Sequence, residues 1–184
     1  MTLPLEGYRM LDTSRLIPGP TATWMLADLG MEVIKIEEVE TRPGRARDAL
    51  SPATDTPAEE ARTMAWNHFG RNKKSVALNL QAPEGREALH KLAASADVFF
   101  GTSLPPAYKK LGADYETLSQ VNPKLIHCTF SGYGLDNAFS GYPGNESSAR
   151  GLSGLSSLTL MPDGTPLDPG YLRSEEHTSE LQSH

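Results

Sequence analysis

The sequence predicts an α/β fold, a Rossmann-like open sheet of mostly parallel strands. Three observations carry this. Short β-rich runs alternate with amphipathic runs over about 130 residues, the pattern of strands joined by crossover helices. A strand, turn, helix and strand stand in that order from Gly7 to Glu37, a βαβ unit with the right-handed crossover that parallel strands require. Glycine and proline sit at the joins between the periodic runs rather than inside them.

GYRMLD (Gly7–Asp12) is the first strand, with Tyr8, Met10 and Leu11 as its apolar weight. Gly19 and Pro20 open the first helix, since a proline in the first turn gives up an N–H that has no intrahelical partner. Ala22, Met25, Leu26 and Leu29 recur at helical spacing and predict its buried face. Gly30 ends it, because glycine accepts the left-handed conformation of a C-terminal cap. MEVIKIE (Met31–Glu37) is the second strand. The loop Leu16-Ile17-Pro18-Gly19 therefore lies at the carboxyl end of a strand and the amino end of a helix. Ligands gather there in open α/β sheets, and exposed N–H groups suit phosphate.

Residues 38–64, rich in Pro, Arg, Asp, Glu and Ala, predict a long exposed loop with a helical turn near 57–64, and loops of this length are often functional. WNHFGRNKKSVALN then passes from a basic loop into a strand, SVALNL, with Arg71, Lys73 and Lys74 just before it. On the residues alone, that basic cluster reads as a solvated turn. Pro83 opens the next helix, Glu84 and Glu87 complement its dipole, and Ala88, Leu89, Leu92 and Ala96 form the buried face. ADVFFGTS is the fourth strand, its consecutive Val98, Phe99 and Phe100 fitting a strand covered on both faces. A short helix from Pro105 to Leu111 ends at Gly112, and another from Asp114 to Val121 turns Tyr115, Leu118 and Val121 inward. KLIHCTF is the fifth strand, followed by the glycine-bearing SGYG. From Ser131 onward the alternation stops: ARGLSGLSSLTL has small residues suited to close helix packing, and MPDGTPLDPG is turn material.

The chain has 184 residues, enough for one domain or most of a larger one. Hydrophobic residues make up 38% and charged residues 22%, values of a soluble protein. No run reaches membrane-spanning length, and MTLPLEGYRM lacks the basic start and apolar run of a signal peptide. A lone cysteine, Cys128, makes no internal disulfide, which points to a reducing cytoplasm. The net charge of −6 gives no general attraction to nucleic acid or an acidic membrane. Residues 173–184, RSEEHTSELQSH, read as the in-frame translation of a common sequencing-library adapter and are set apart from the fold. The organisation expected is a partial large domain over 1–172 and a non-native tail over 173–184.

Several chemistries find no support. His68, His90 and His127 are far apart and the cysteine is single, so no metal-ligand spacing exists. His127, inside a strand, reads as a satisfied core residue. Neither a GxSxG elbow nor a GxxxxGK[ST] loop occurs. Pro18-Gly19-Pro20 with Glu37 about twenty residues on imitates a dinucleotide site but lacks its three spaced glycines. Asp12, ending the first strand, reads as a turn cap in preference to a catalytic acid.

The segments SRLIPGPTATWMLADLGMEVIKIE, NKKSVALNL, APEGREAL, ADVFF, the helix ending KKLGA, NPKLIHCTFSGYG and DGTPLDPG together resemble the class III CoA transferases, in register over residues 3–172. That group includes formyl-CoA transferase, carnitine CoA-transferase and α-methylacyl-CoA racemase. The resemblance implies a Rossmann-like large domain, an interlocked homodimer, and a chain longer than this one with a second, smaller domain. It also implies that acyl-CoA and a free carboxylate are the substrates, with no tightly bound cofactor. By position, Leu16, Ile17 and Pro18 fall where the family's loop meets CoA. Lys73 falls where a basic residue packs against its adenine end, Asn72 joins the CoA-binding set, Thr102 falls where an amide contact is made, and Lys110 falls where a basic residue approaches the phosphates.

Three departures bear on the chemistry. Where the family often has Glu-Asn-Phe, this chain has Gly101-Thr102-Ser103, so an amide contact becomes a hydroxyl contact. Where it often has His-Asp, this chain has Asn145-Glu146, and Asn145 cannot exchange the proton a racemase needs. The family's nucleophilic aspartate is expected near position 175, occupied here by Glu175 of the adapter-like tail. No catalytic residue is therefore assigned within 1–172. The reading is CoA transfer, with a racemase of the same family or a non-catalytic CoA- or nucleotide-binding module as alternatives.

Overall fold

Five strands form one sheet: β1 (Arg9–Asp12), β2 (Glu32–Glu38), β3 (Lys73–Leu78), β4 (Val98–Gly101) and β5 (Ile126–Thr129). Their order is β3-β2-β1-β4-β5 and all four pairings are parallel. The computed structural model describes residues 2–15, 17–39, 68–142, 144, 146–158 and 160–166. They divide into a first unit, Met1–Phe130, which holds the sheet, and a second, Ser131–His184. The α/β sheet expected from the alternation of runs is the one observed, and the break at Ser131 falls where that alternation stops.

The helices of the first unit are α1 (Pro18–Asp28), α2 (Pro83–Ala93), α3 (Pro105–Leu111) and α4 (Tyr115–Val121). The first three begin on prolines. At α4, Asp114 supplies an N-cap, accepting the Thr117 N–H at 3.1 Å. Gly30 and Gly112, at φ +100° and +64°, close α1 and α3 in the left-handed conformation that glycine adopts without a Cβ penalty. Alternate residues along the strands feed two cores. Leu11, Ile36 and Phe99 pack with Leu89, Ala93, Tyr108 and Leu118 of α2–α4. Met10 and Val33 pack with Ala27 of α1 and with Met31.

Four expectations are corrected. Of the expected inward face of α1, only Leu26 packs, half-buried, against the core: Met25 is 60% and Leu29 45% exposed, Ala22 is exposed, and Gly19, Pro20, Thr23 and Ala27 are the buried residues. Small residues four apart let this helix lie close to the sheet, and Thr23 points a hydroxyl at the strand end. On α4 only Leu118 turns fully inward; Tyr115 and Val121 are exposed, because a two-turn helix presents one narrow stripe. Lys73 and Lys74 lie within β3 rather than before it. On β4, Phe99 is buried but Val98 and Phe100 are only half-buried, so one face of that strand is fully covered rather than both.

The second unit contains α5 (Glu146–Leu152), a 3₁₀ turn (Leu155–Leu158) and an isolated antiparallel bridge between Leu160 and Pro166. Among the described residues no helix is long and apolar enough to cross a membrane. The helical turn expected near 57–64, Leu16, Asn145, Glu175 and the 173–184 tail lie outside the described residues.

A buried residue of β4 and an exposed residue of α1 make contrasting predictions. Phe99 is fully buried, stacked on His127 with ring centroids 4.8 Å apart and edge-on to Tyr108. Phe99→Ala is expected to destabilise the fold by about 3–5 kcal/mol. Met25→Ala, on the solvent face, is expected to stay within about 0.5 kcal/mol of the parent. Urea unfolding of both variants checks the assignment, and comparable losses would contradict it.

Candidate functional site at the switch point of the sheet

In the order β3-β2-β1-β4-β5 the chain proceeds outward from β1 to β3, then returns to place β4 on the other side of β1. The crevice beyond the carboxyl ends of β1 and β4 is thus the topological switch point, where open α/β sheets bind ligands. Two loops meet there, one after β1 that holds Thr13–Arg15 and one after β4, Thr102–Leu104. The Thr102 hydroxyl accepts the Arg15 N–H at 3.0 Å, and Thr13 donates its N–H to the Phe100 carbonyl at 2.8 Å.

Close packing holds these loops in place. A Cβ on Gly19 would stand 2.5 Å from Ser14 Cβ and 2.9 Å from the Thr102 methyl, so only glycine lets the first turn of α1 settle against both loops. A Cβ on Gly101 would lie 1.6 Å from the Tyr108 hydroxyl. That hydroxyl, on a side chain only 3% exposed, accepts the Ser103 N–H at 3.1 Å and lies 3.0 Å from Thr13 Oγ1. The Gly101 departure from the family pattern is thereby occupied by the tip of Tyr108.

Beneath the first loop lies a buried charge cluster. Asp12 ends β1 with a fully buried carboxylate. Its Oδ1 accepts the Ser14 N–H at 2.8 Å and the Ser14 hydroxyl at 2.5 Å; its Oδ2 accepts the Thr23 hydroxyl at 2.6 Å and the Lys73 ammonium at 3.2 Å. Lys35, paired in register with Asp12, stands 3.7 Å from Oδ1 and donates to the Ser14 carbonyl. Burial by itself raises the Asp12 carboxyl, but the Lys35 and Lys73 charges and the Ser14 and Thr23 hydrogen bonds outweigh it and hold the group below the ordinary carboxylate value. For Lys73, burial lowers the ammonium, the Asp12 charge and hydrogen bond oppose that, and the like charge of Lys35 adds to the lowering.

The residues singled out by sequence are placed unevenly. Ile17, half-buried, caps α1 and accepts the Thr21 N–H and hydroxyl; Pro18, exposed, begins that helix; Thr102 meets the Arg15 N–H across the switch point. Lys73 was expected to turn its charge toward a ligand. Its ammonium instead faces Asp12, Thr23 at 2.7 Å and the Pro20 carbonyl at 3.1 Å, with the side chain 1% exposed. Asn72 belongs to a different group. In a left-handed backbone conformation (φ +59°) that asparagine tolerates, it donates to Asp28 at 2.7 Å near the far end of α1. Asp28 is also gripped by Arg71, whose guanidinium lies 4.1 Å over the Trp24 ring. Lys110 is exposed in the last turn of α3, where its charge complements the helix terminus. His127, read as a satisfied core residue, is half-buried with Nε2 3.0 Å from the Ala113 carbonyl.

Sequence reading did not identify Ser14, Thr23, Lys35 or Tyr108 as site residues. The available signal was parity. Asp12 and Lys35 fall at inward-facing positions of their strands, where a lone charge needs a counter-charge. Among the described residues no group of His, Cys, Asp and Glu is arranged to hold a metal ion.

The lowered Asp12 carboxyl has a definite pH signature. A carboxyl held below its unfolded value of about 3.9 contributes stability that is complete above that pH and is lost as pH falls through the folded value. Asp12→Asn leaves the Lys73 ammonium buried without a counter-charge and is expected to cost about 3–5 kcal/mol at pH 7. The gap should narrow below about pH 4, where the parent's unfolded state takes up a proton that its folded carboxyl resists. Urea unfolding of parent and variant over a pH series checks this; a gap independent of pH would overturn it.

Residues 5–174 match the family model described as CoA-transferase family III. The chain is 38% identical over 172 residues to succinyl-CoA:glutarate CoA-transferase of Mus musculus, an alignment covering 94% of this chain and 38% of that protein. It is 36% identical over 180 residues to the beta subunit of succinyl-CoA–L-malate CoA-transferase of Chloroflexus aurantiacus, covering 98% and 43%. A crystal structure of a CaiB/BaiF family protein from Brucella suis matches with a TM-score of 0.74 at 27% identity, covering 100% of this chain and 49% of that one. The chain therefore spans less than half the length of these relatives. With the family pattern matched from β1 to the turns beyond α5 and the parallel sheet shared with a solved member, this chain belongs to CoA-transferase family III.

Proposed function

We propose that the protein carrying this chain transfers CoA from an acyl-CoA thioester to a free carboxylic acid. The observation that carries this reading is the family match over residues 5–174, together with relatives that are themselves named CoA-transferases. In the reaction an enzyme carboxylate attacks the thioester carbonyl, the C–S bond breaks, and CoA leaves as the thiolate. The thiolate attacks the enzyme's carbonyl in the resulting mixed anhydride, releasing the donor acid and leaving CoA on the enzyme as a thioester. The acceptor carboxylate then repeats the exchange in reverse order, and the enzyme carboxylate is regenerated. Backbone N–H groups of a glycine-rich loop stabilise the oxyanions, usually a large share of the rate.

In this reading Leu16, Ile17 and Pro18 line the CoA path at the switch point, and Thr102 donates its hydroxyl hydrogen to the ligand while accepting from Arg15. Asn72 belongs to the CoA-binding set. Lys110 meets the phosphates as an exposed point charge, without arginine's bidentate fork. The attacking aspartate belongs in the intact gene a few codons after Leu172, and Glu175 with the rest of 173–184 is a non-native tail. An aspartate and a further domain in the intact gene would support the reading, and their absence would favour a non-catalytic CoA-binding module. A racemase is disfavoured by Asn145, which has no proton to exchange at neutral pH. The lone cysteine supports a cytoplasmic location, and the family resemblance supports an interlocked homodimer.

In the complete protein, Lys110→Ala is expected to weaken CoA binding on the order of tenfold, the loss of one charge–phosphate contact. Calorimetry with CoA measures it, and unchanged affinity would remove Lys110 from the site. Turnover is tested by offering succinyl-CoA with a panel of free mono- and dicarboxylates. Formation of a new acyl-CoA is the expected result, and its failure across the panel would sink the transferase reading.

A further inference from the structure

We propose that Lys73 is a positioning residue, whose buried ammonium holds Asp12 and through it the Thr13–Arg15 stretch of the switch-point loop, and that it does not itself touch a ligand. The ligand-binding part of this inference rests on the CoA-transferase reading; the loop-holding part does not.

An ammonium has three N–H donors and no acceptor. All three partners of Lys73 are internal: Asp12 Oδ2 at 3.2 Å, Thr23 Oγ1 at 2.7 Å and the Pro20 carbonyl at 3.1 Å. With the side chain 1% exposed, no donor is left for an adenine or a phosphate. The geometry is also deliberate in its reach. Lys73 pairs in register with Val33, and Val33 with Met10, whereas Asp12 pairs with Lys35 and Lys35 with Ser75. The long stem therefore crosses β2 and advances two residues along the strands to reach the carboxylate on β1.

The force passes onward through bonds of defined direction. Thr23 donates its hydroxyl hydrogen to Asp12 and accepts from Lys73 on its lone pair. The other carboxylate oxygen holds Ser14 twice, by backbone N–H and by hydroxyl. Ser14 is fully buried, and its carbonyl accepts from Lys35. Releasing Asp12 from Lys73 thus loosens the residue from which the loop departs. Lys35 acts on the other carboxylate oxygen, 3.7 Å from Oδ1, and donates to the Ser14 carbonyl, whereas Oδ2 takes its hydrogen bonds from Lys73 and Thr23.

A double-variant cycle in the complete protein separates positioning from contact, read by hydrogen exchange of the loop peptide and by calorimetry with CoA. Lys73→Met is expected to speed exchange in the loop while peptides of β4 and α2 stay unchanged, and to weaken CoA about tenfold. Asp12→Asn alone is expected to do at least as much, because it strands the Lys73 charge. Combining the two removes the Lys73–Asp12 pair together and leaves Lys35 on the Ser14 carbonyl, and affinity is expected to return to within about threefold of the parent. A combined variant as weak as Lys73→Met, or weaker, would mean direct contact and overturn the proposal. If the parent binds no CoA, the transferase reading fails and loop exchange alone decides. If the combined variant does not fold, loop exchange in Lys73→Met decides, and unchanged exchange there overturns the proposal.

Discussion

A carboxylate with no exposure to water, Asp12 at the end of the central strand, constrains most of what surrounds it. A charge in that position is tolerated only when paired and hydrogen-bonded, since the transfer of an isolated ion out of water costs several kcal/mol even after relaxation. Asp12 meets that demand with two ammoniums and two hydroxyls drawn from β2, β3, α1 and the first loop. Each donor comes from a different element, so each element is fixed relative to the others through one pair of oxygen atoms. Two ammoniums against one carboxylate also leave a positive balance beneath the amino end of α1, the end whose dipole favours anions.

The small residues of α1 follow from that arrangement. A helix that must bring Thr23 to 2.6 Å from a strand-end carboxylate has no room for bulk at Gly19 or Ala27. The bulky Met25 and Leu29 point outward instead. The same economy operates on the far side of the switch point. There Gly101 makes room for the Tyr108 hydroxyl, which ties the loop after β4 to the loop after β1.

That tie gives the departure Gly101-Thr102-Ser103 a physical meaning. An asparagine amide offers two donors and an acceptor carbonyl, whereas a threonine hydroxyl offers one donor and accepts on its lone pairs. In this chain the Thr102 lone pair takes the Arg15 N–H, so the hydroxyl serves as an acceptor between the two loops. The loop is thus braced by Tyr108 and Thr102, and the chemistry available at that point of the site is narrower than an amide would give.

The order of elements, the proline starts and glycine stops of the helices, the point at Ser131 where the sheet pattern ends, and the family are all legible along the chain. All of these are written in local spacing or in motifs read in register. The sequence placed the Ile17–Pro18 turn at a strand's carboxyl end for the same reason. What it left open was which side of α1 faces inward and where the charges of Asp12, Lys35 and Lys73 go. Local periodicity favoured Met25 and Leu29 because apolar bulk dominates any such count, and Lys73 looked like a solvated turn beside Arg71 and Lys74. Only the tertiary structure decided otherwise. The partner of Asp12 is set by the registers β1–β2 and β2–β3, which join residues far apart in the chain, and burial turns that proximity into an ion pair with no donor to spare.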